Sequence, residues 1–172
     1  MDIGIRTGGI LLIAAMCAGM GFAAAAHTAG RTASLRTILS FLHLFTVELR
    51  CSMGHTETLI RSVSRMMEPP PCFTESCVSA CEEGKNLPEA WSEAVEKHKK
   101  ELCLERNELA AARELGNLLG RYDREGQTAA LEAASQRFEE MYHNAVREEK
   151  QKAPLYRTLG MLGGAAVVVL LW

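Results

Sequence analysis

With 172 residues the chain has room for one domain of ordinary size, and 48% apolar against 23% charged residues excludes an intrinsically disordered chain. The 19 Lys and Arg against 21 Asp and Glu give a formal net charge of -2, which excludes both the basic footprint of a nucleic-acid-binding protein and an acidic tail. The charges are unevenly placed, because Gly8–Ala26 and Thr158–Trp172 carry none while all but Asp2 and Arg6 lie between them, a membrane pattern at both ends.

The expected organisation is a short outer N-terminus (1–7), a transmembrane helix (8–26), a cytoplasmic helical bundle (27–157) and a second transmembrane helix (158–172). As a helix, Gly8–Ala26 spans about 28 Å, close to the hydrocarbon thickness. A signal peptide is the rival reading, since Arg6 precedes a short apolar stretch and Ala24–Ala26 would suit cleavage. Against it, Cys51, Cys72, Cys77, Cys81 and Cys103 would leave an odd, irregularly spaced set, a poor disulfide framework. Reduced thiols in a cytoplasmic domain are the simpler reading. The closing Leu159–Trp172 is shorter, about 21 Å, but the helix can begin near Pro154 if Arg157 snorkels, with Tyr156 and Trp172 at the interfaces. Arg31, Arg36, Arg147, Lys150, Lys152 and Arg157 on the inner flanks, against Arg6 outside, place the central domain in the cytoplasm.

Between the spans only helical patterns occur, and the predicted class is all-α, an antiparallel helical bundle. Leu35, Ile38, Leu42, Phe45 and Leu49 form an apolar stripe that continues the first span, with a break expected at Gly54. Leu59, Ile60, Val63, Met66 and Met67 form a second stripe that ends before Pro69, Pro70 and Pro71. Phe73–Glu83 and Leu87–Leu102 read as two helices separated at Gly84, with Asn86 and Glu89 as a capping box around Pro88. Trp91, Ala94, Val95 and His98 give the second its buried face. The pattern is helical again from Leu104 through Leu119, with Ala111, Leu115 and Leu118 on one side and Gly120 where a left-handed cap is needed. Asp123 is placed to cap a last helix carrying Leu131, Ala134, Phe138, Met141 and Ala145, which Pro154 should kink or interrupt.

The chemistry is mostly negative. Gly84-Lys85 lacks the upstream glycine and the Ser or Thr of a phosphate-binding loop, so the chain is expected not to hydrolyse nucleotide itself. Cys72, Cys77 and Cys81 are the one metal-like cluster, but their spacing matches no zinc or iron-sulfur pattern, and small buried hydrophobes are the favoured reading. His27, His43, His55, His98 and His143 are scattered, and His43 and His98 flank apolar stripes as packing residues. Asp123 and Glu125 follow a helix-ending glycine, where first-turn acids favour the helix dipole over acid–base work. The run Glu148–Lys152 reads as a solvated face. No catalytic, cofactor-binding or metal residue is assigned. Two sets remain: the turn Gly120, Arg121, Asp123, Glu125 and Gln127, structural or an interaction site, and the small residues Ala15, Gly19, Ala23, Gly160 and Gly164, spaced for close packing of membrane helices.

These residues carry a resemblance. The first span, Glu48-Leu49-Arg50, Trp91-Ser92-Glu93-Ala94-Val95, the stretch Gly120-Arg121-Tyr122-Asp123-Arg124-Glu125-Gly126-Gln127 and the closing Tyr156-Arg157-Thr158-Leu159-Gly160-Met161-Leu162-Gly163-Gly164, in that order, resemble the stage III sporulation protein AB family along the whole chain. Tyr122 departs from the family's usual Ser, and His55-Thr56-Glu57-Thr58 from its usual Thr-Pro-Leu-Pro. The resemblance implies a mother-cell membrane protein, one subunit of a secretion-like channel complex joining mother cell and forespore. It also implies a helical domain similar to that of the type II secretion inner-membrane platform protein F, working with a separate cytoplasmic ATPase and the other stage III membrane subunits. No nucleic acid, small-molecule substrate or cofactor is implied. The expected function is therefore a non-enzymatic structural platform and docking component. The alternative, from another class, is a membrane-anchored thiol or metal sensor using the central cysteines.

Overall fold

The structure is a computed structural model that describes residues 2–51, 56–119 and 124–171, with the side chains at 2–12, 14, 17, 18, 124, 125, 167 and 169–171 outside that description. The described residues form helices and no strand, in the order α1 (Asp2–Cys51), α2 (Thr56–Met66), α3 (Cys72–Glu82), α4 (Leu87–Lys97), α5 (Lys99–Leu102), α6 (Arg106–Leu118) and α7 (Arg124–Leu171). The all-α class is as expected. The chain divides into two compact units, one of residues 1–32 with 144–172 and one of residues 33–143.

In the unit of residues 33–143, the second half of α1 buries Leu35, Ile38, Phe41, Leu42, Phe45 and Leu49, spaced by three and four so that they share one face. Phe41 packs on Phe73 of α3 and Trp91 of α4, with ring centroids 6.5 and 5.6 Å away, and Phe73 meets Trp91 edge-on at 5.0 Å. Such pairs add about 0.5–1.5 kcal/mol each beyond the area they bury. Leu59, Ile60 and Val63 of α2 join the core as expected, whereas Met66 is exposed and Met67 half-buried, because the stripe ends where the helix does. A Ser64–Thr74 hydroxyl pair at 2.7 Å ties α2 to α3, and Thr74 Oγ1 also donates to the Pro71 carbonyl at 2.8 Å.

Helix α3 ends in a Schellman motif: Gly84 takes φ +94°, its N–H donates to the Cys81 carbonyl, and the Lys85 N–H reaches the Ala80 carbonyl at 3.1 Å. A side chain at Gly84 would meet that strained backbone region, so the separation read at this glycine has a physical cause. Asn86 caps α4 by accepting the Glu89 N–H at 3.0 Å. The return arm of the expected box runs from the Asn86 side-chain amide to the Glu89 carboxylate at 2.9 Å, not to backbone. The helix expected over Leu87–Leu102 is broken at His98, whose φ -95° and ψ 11° leave the α region before α5 begins. Cys103 then stops α5 with φ 52°, a left-handed cap without glycine. At the start of α6 the Glu108 carboxylate accepts the Glu105 N–H at 2.9 Å.

Helix α4 packs closely on α6. Trp91 is buried with its Nε1–H donated to the Ala112 carbonyl at 2.8 Å, and its side chain fills the space over Gly116. Leu119, four residues after Leu115, is buried, while Leu118, expected on that face, is only half-buried. In α7, Leu131, Phe138 and Ala145 are buried, and Ala134 and Met141 are half-buried.

In the unit of residues 1–32 with 144–172, α1 and α7 lie side by side. A Cβ at Gly21 would come within 2.5 Å of the Tyr156 carbonyl oxygen and 3.0 Å of Gly160 Cα, so the two backbones meet there. Pro154 neither ends nor divides α7, correcting the expected interruption; the helix runs through it, with Thr158 Oγ1 donating to the Pro154 carbonyl at 2.9 Å. Among the described residues no helix is long and apolar enough to cross a membrane. Residues 8–12, 14, 17 and 18 of the first expected span, and 167 and 169–172 of the second, lie outside the side-chain description. The break expected at Gly54 also lies outside the described residues.

Candidate functional site

Three places concentrate polar or small side chains. The first is the predicted turn before α7. Gly120, Arg121 and Asp123 lie outside the described residues, and Glu125 is described as part of α7 without its side chain. Gln127 is buried, and its Nε2 donates to the Leu119 carbonyl at 2.6 Å. That bond satisfies a carbonyl at the end of α6 from the first turns of α7, so Gln127 joins the two helices.

The second place is the paired α1 and α7 of the discontinuous unit. Of the small residues singled out for packing, Gly160 sits at the close approach and Gly164 is buried, whereas Ala15, Gly19 and Ala23 are exposed, with nothing within 4 Å of a Cβ at Gly19. The partner of Gly160 is Gly21, two residues along from Gly19 and therefore on another face of α1. Four-residue spacing alone could not choose between these registers. Further along, Arg31 Nη1 donates to Glu148 Oε2 at 2.9 Å, with Arg31 nearly buried. Hydrogen bonds from Lys152 and from Arg31 hold the Glu148 carboxyl below the usual carboxylate range. The expected solvated face from Glu148 to Lys152 thus contains one side of an interhelical ion pair. Around these contacts Ile13, Met16, Met20 and Phe22 of α1 are exposed, as are Leu155, Leu159, Met161 and Leu162 of α7.

The third place is the corner where α3 begins and α4 passes into α5. Cys72, His98 and Glu101 offer ligand atoms that all lie within 4.8 Å of one another. His98 Nδ1 is 3.1 Å from Glu101 Oε2 and its Nε2 is 3.0 Å from Ser76 Oγ. Burial first, then the Glu101 charge, pushes the Cys72 thiol up. The cysteine cluster read from spacing is divided. Cys77 and Cys81 do share a face at i, i+4 and interact, but Cys77 is buried, and burial pushes its thiol up to about 12. A thiol held that high is an inert packing group, which agrees with the expected role of small buried hydrophobes. Cys51 is exposed, and Cys103 Sγ donates to the Lys100 carbonyl at 3.5 Å. His43, expected to be a packing residue, is exposed, since it falls between Leu42 and Phe45 on the opposite side of α1. His98 is the histidine whose position on an apolar stripe did foreshadow a fixed ring; the nearness of Cys72 and Glu101 depends on the break at His98, which no local signal announces.

Comparison with known proteins gives two matches. A model of the family described as stage III sporulation protein AB matches residues 6–172. A solved structure titled stage III sporulation protein AB is similar in fold, with a TM-score of 0.63 and 17% identity over 71% of this chain and 98% of that chain. No curated protein matches. The family match takes in nearly the whole chain, including the paired helices, the α4–α6 crossing and the segment before α7; the chain belongs to the stage III sporulation protein AB family.

Proposed function

We propose that this chain is a non-enzymatic subunit of the membrane complex of stage III sporulation, serving as a platform and as the docking site for a cytoplasmic ATPase. The observation that carries this reading is the family match over residues 6–172, which spans both apolar ends as well as the helical domain between them. In this reading 8–26 and 158–172 sit in the mother-cell membrane and the residues between them face the cytoplasm. The outward apolar side chains at Phe22, Leu155, Leu159 and Leu162 support it, because a surface of that kind is stable against lipid or other membrane helices rather than water. The glycine contact between Gly21 and Gly160 is the sort of close approach that membrane helix pairs use. Between α6 and the first turn of α7 the sequence offers Arg121, Asp123 and Glu125 as the charged residues a partner would meet in this reading.

The experiment is affinity capture of the tagged full-length chain, solubilised in mild detergent from sporulating cells. Other membrane subunits and the ATPase are expected to co-purify. A variant carrying Arg121→Ala, Asp123→Ala and Glu125→Ala is expected to lose the ATPase and keep the membrane subunits. Capture of the membrane subunits without the ATPase from the parent chain would remove the docking role.

A further inference from the structure

The corner of Cys72, His98 and Glu101 has the composition of a metal site assembled from two separate stretches of chain. Cys72 is the first residue of α3, His98 occupies the break between α4 and α5, and Glu101 follows one turn later. The break is held by the His98 N–H on the Ala94 carbonyl at 3.2 Å and by the Glu101 N–H on the His98 carbonyl at 3.0 Å, which folds Glu101 back over the ring. Zinc bonds of about 2.0–2.3 Å in a tetrahedral arrangement place donor atoms roughly 3.5 Å apart. The separations here are all within 4.8 Å, and two of the three donors, on His98 and Glu101, already stand 3.1 Å apart.

The histidine is already oriented as a ligand. Its two ring nitrogens are divided: Nε2 faces the Ser76 hydroxyl at 3.0 Å, and Nδ1 faces the Glu101 carboxylate at 3.1 Å. A metal-binding imidazole needs this kind of holder on its far nitrogen to fix tautomer and ring plane. A cleft of about 400 Å³, lined by Cys72, Ser76 and His98, gives solvent access. One sulfur, one nitrogen and one oxygen donor suit a borderline divalent transition metal, since calcium and magnesium take oxygen donors and iron-sulfur clusters take thiolates.

We infer that Cys72 Sγ, the His98 imidazole and the Glu101 carboxylate form a binding site for a divalent transition-metal cation, zinc by its donor chemistry. The Cys72 proton leaves to solvent as the metal–sulfur bond forms. Three protein donors leave a fourth position for water or for a group from a partner. Bound metal fastens the start of α3 to the α4–α5 corner. The inference stands apart from the proposed docking role, and it uses a different residue set from the one that cysteine spacing suggests.

The test uses the purified full-length chain in detergent, stripped with chelator and titrated with Co²⁺. A thiolate-to-cobalt charge-transfer band is expected, saturating at one ion per chain and abolished by added Zn²⁺. Cys72→Ser and His98→Gln should remove the band, while Cys81→Ser and Cys103→Ser should keep it. Glu101 is exposed, so Glu101→Gln leaves packing intact and should weaken zinc affinity about tenfold or more, with the far-ultraviolet circular dichroism unchanged. The inference is overturned if the folded parent chain gives no thiolate band at saturating Co²⁺. It is equally overturned if the band survives Cys72→Ser.

Discussion

Gly116 has no side chain because Trp91 occupies the space one would need. A Cβ there would sit 2.8 Å from Trp91 Cβ, close to the backbone of α4, where little can give way. Gly116→Ala is therefore expected to cost about 1–3 kcal/mol by overpacking, despite the better helix propensity of alanine. Gly163 meets nothing within 4 Å, so Gly163→Ala should stabilise its helix by up to about 1 kcal/mol. Denaturant unfolding of the two variants separates the effects, and equal behaviour would sink the packing argument. Glu148 makes a second prediction. Its folded carboxyl titrates below the unfolded value, so its pairing with Lys152 and Arg31 stabilises the protein above the ordinary carboxylate range and is lost as pH falls through the folded value. Thermal unfolding of the parent and of Glu148→Gln should differ near neutral pH and converge in acid; a gap that widens in acid would reverse the sign.

Pro154 tests the idea that long helices absorb local penalties. Proline there removes the N–H that would reach the Lys150 carbonyl, yet α7 continues, and both residues are exposed, so water can satisfy the freed oxygen. Pro154→Ala is expected to raise stability by about 1–3 kcal/mol without altering the packed surfaces, measurable as a higher Tm. An unchanged or lower Tm would mean that the proline geometry is needed for how α1 and α7 pair. The same contrast explains what the sequence made legible. Gly84, Asn86 and the Pro69–Pro71 run act through their own backbone chemistry, and the elements they bound were readable one by one. The break at His98, the left-handed Cys103 and the passage through Pro154 run against local propensity, so a residue-by-residue reading pointed elsewhere. For the same reason the small-residue faces were legible as a type and not as a register, and Cys72 was grouped by spacing with Cys77 and Cys81 rather than by space with His98 and Glu101.

At the scale of the molecule, the proposed topology places everything between the two apolar ends on one side of a membrane. A single thiol introduced as Glu83→Cys, exposed beside the cap of α3, in an otherwise cysteine-free chain should resist an impermeant reagent in intact mother cells and react after lysis. Reaction before lysis would invert the orientation. Replacing Gly160 and Gly164 together by Leu raises apolarity, so the chain should stay in the membrane fraction while complex assembly and spore yield fall. Normal sporulation in that variant would reduce the closing segment to an anchor. The division of the chain also sets an order of events during synthesis. Residues 33–143 are continuous in sequence and hold the aromatic core, so this unit has all its parts before the second half of α7 leaves the ribosome. The other unit is split between the two ends of the chain, and the Arg31–Glu148 pair joins residues 117 apart. Until translation is nearly finished, the first half of α1 waits without its partner, and its apolar side chains need a membrane or a chaperone to shield them.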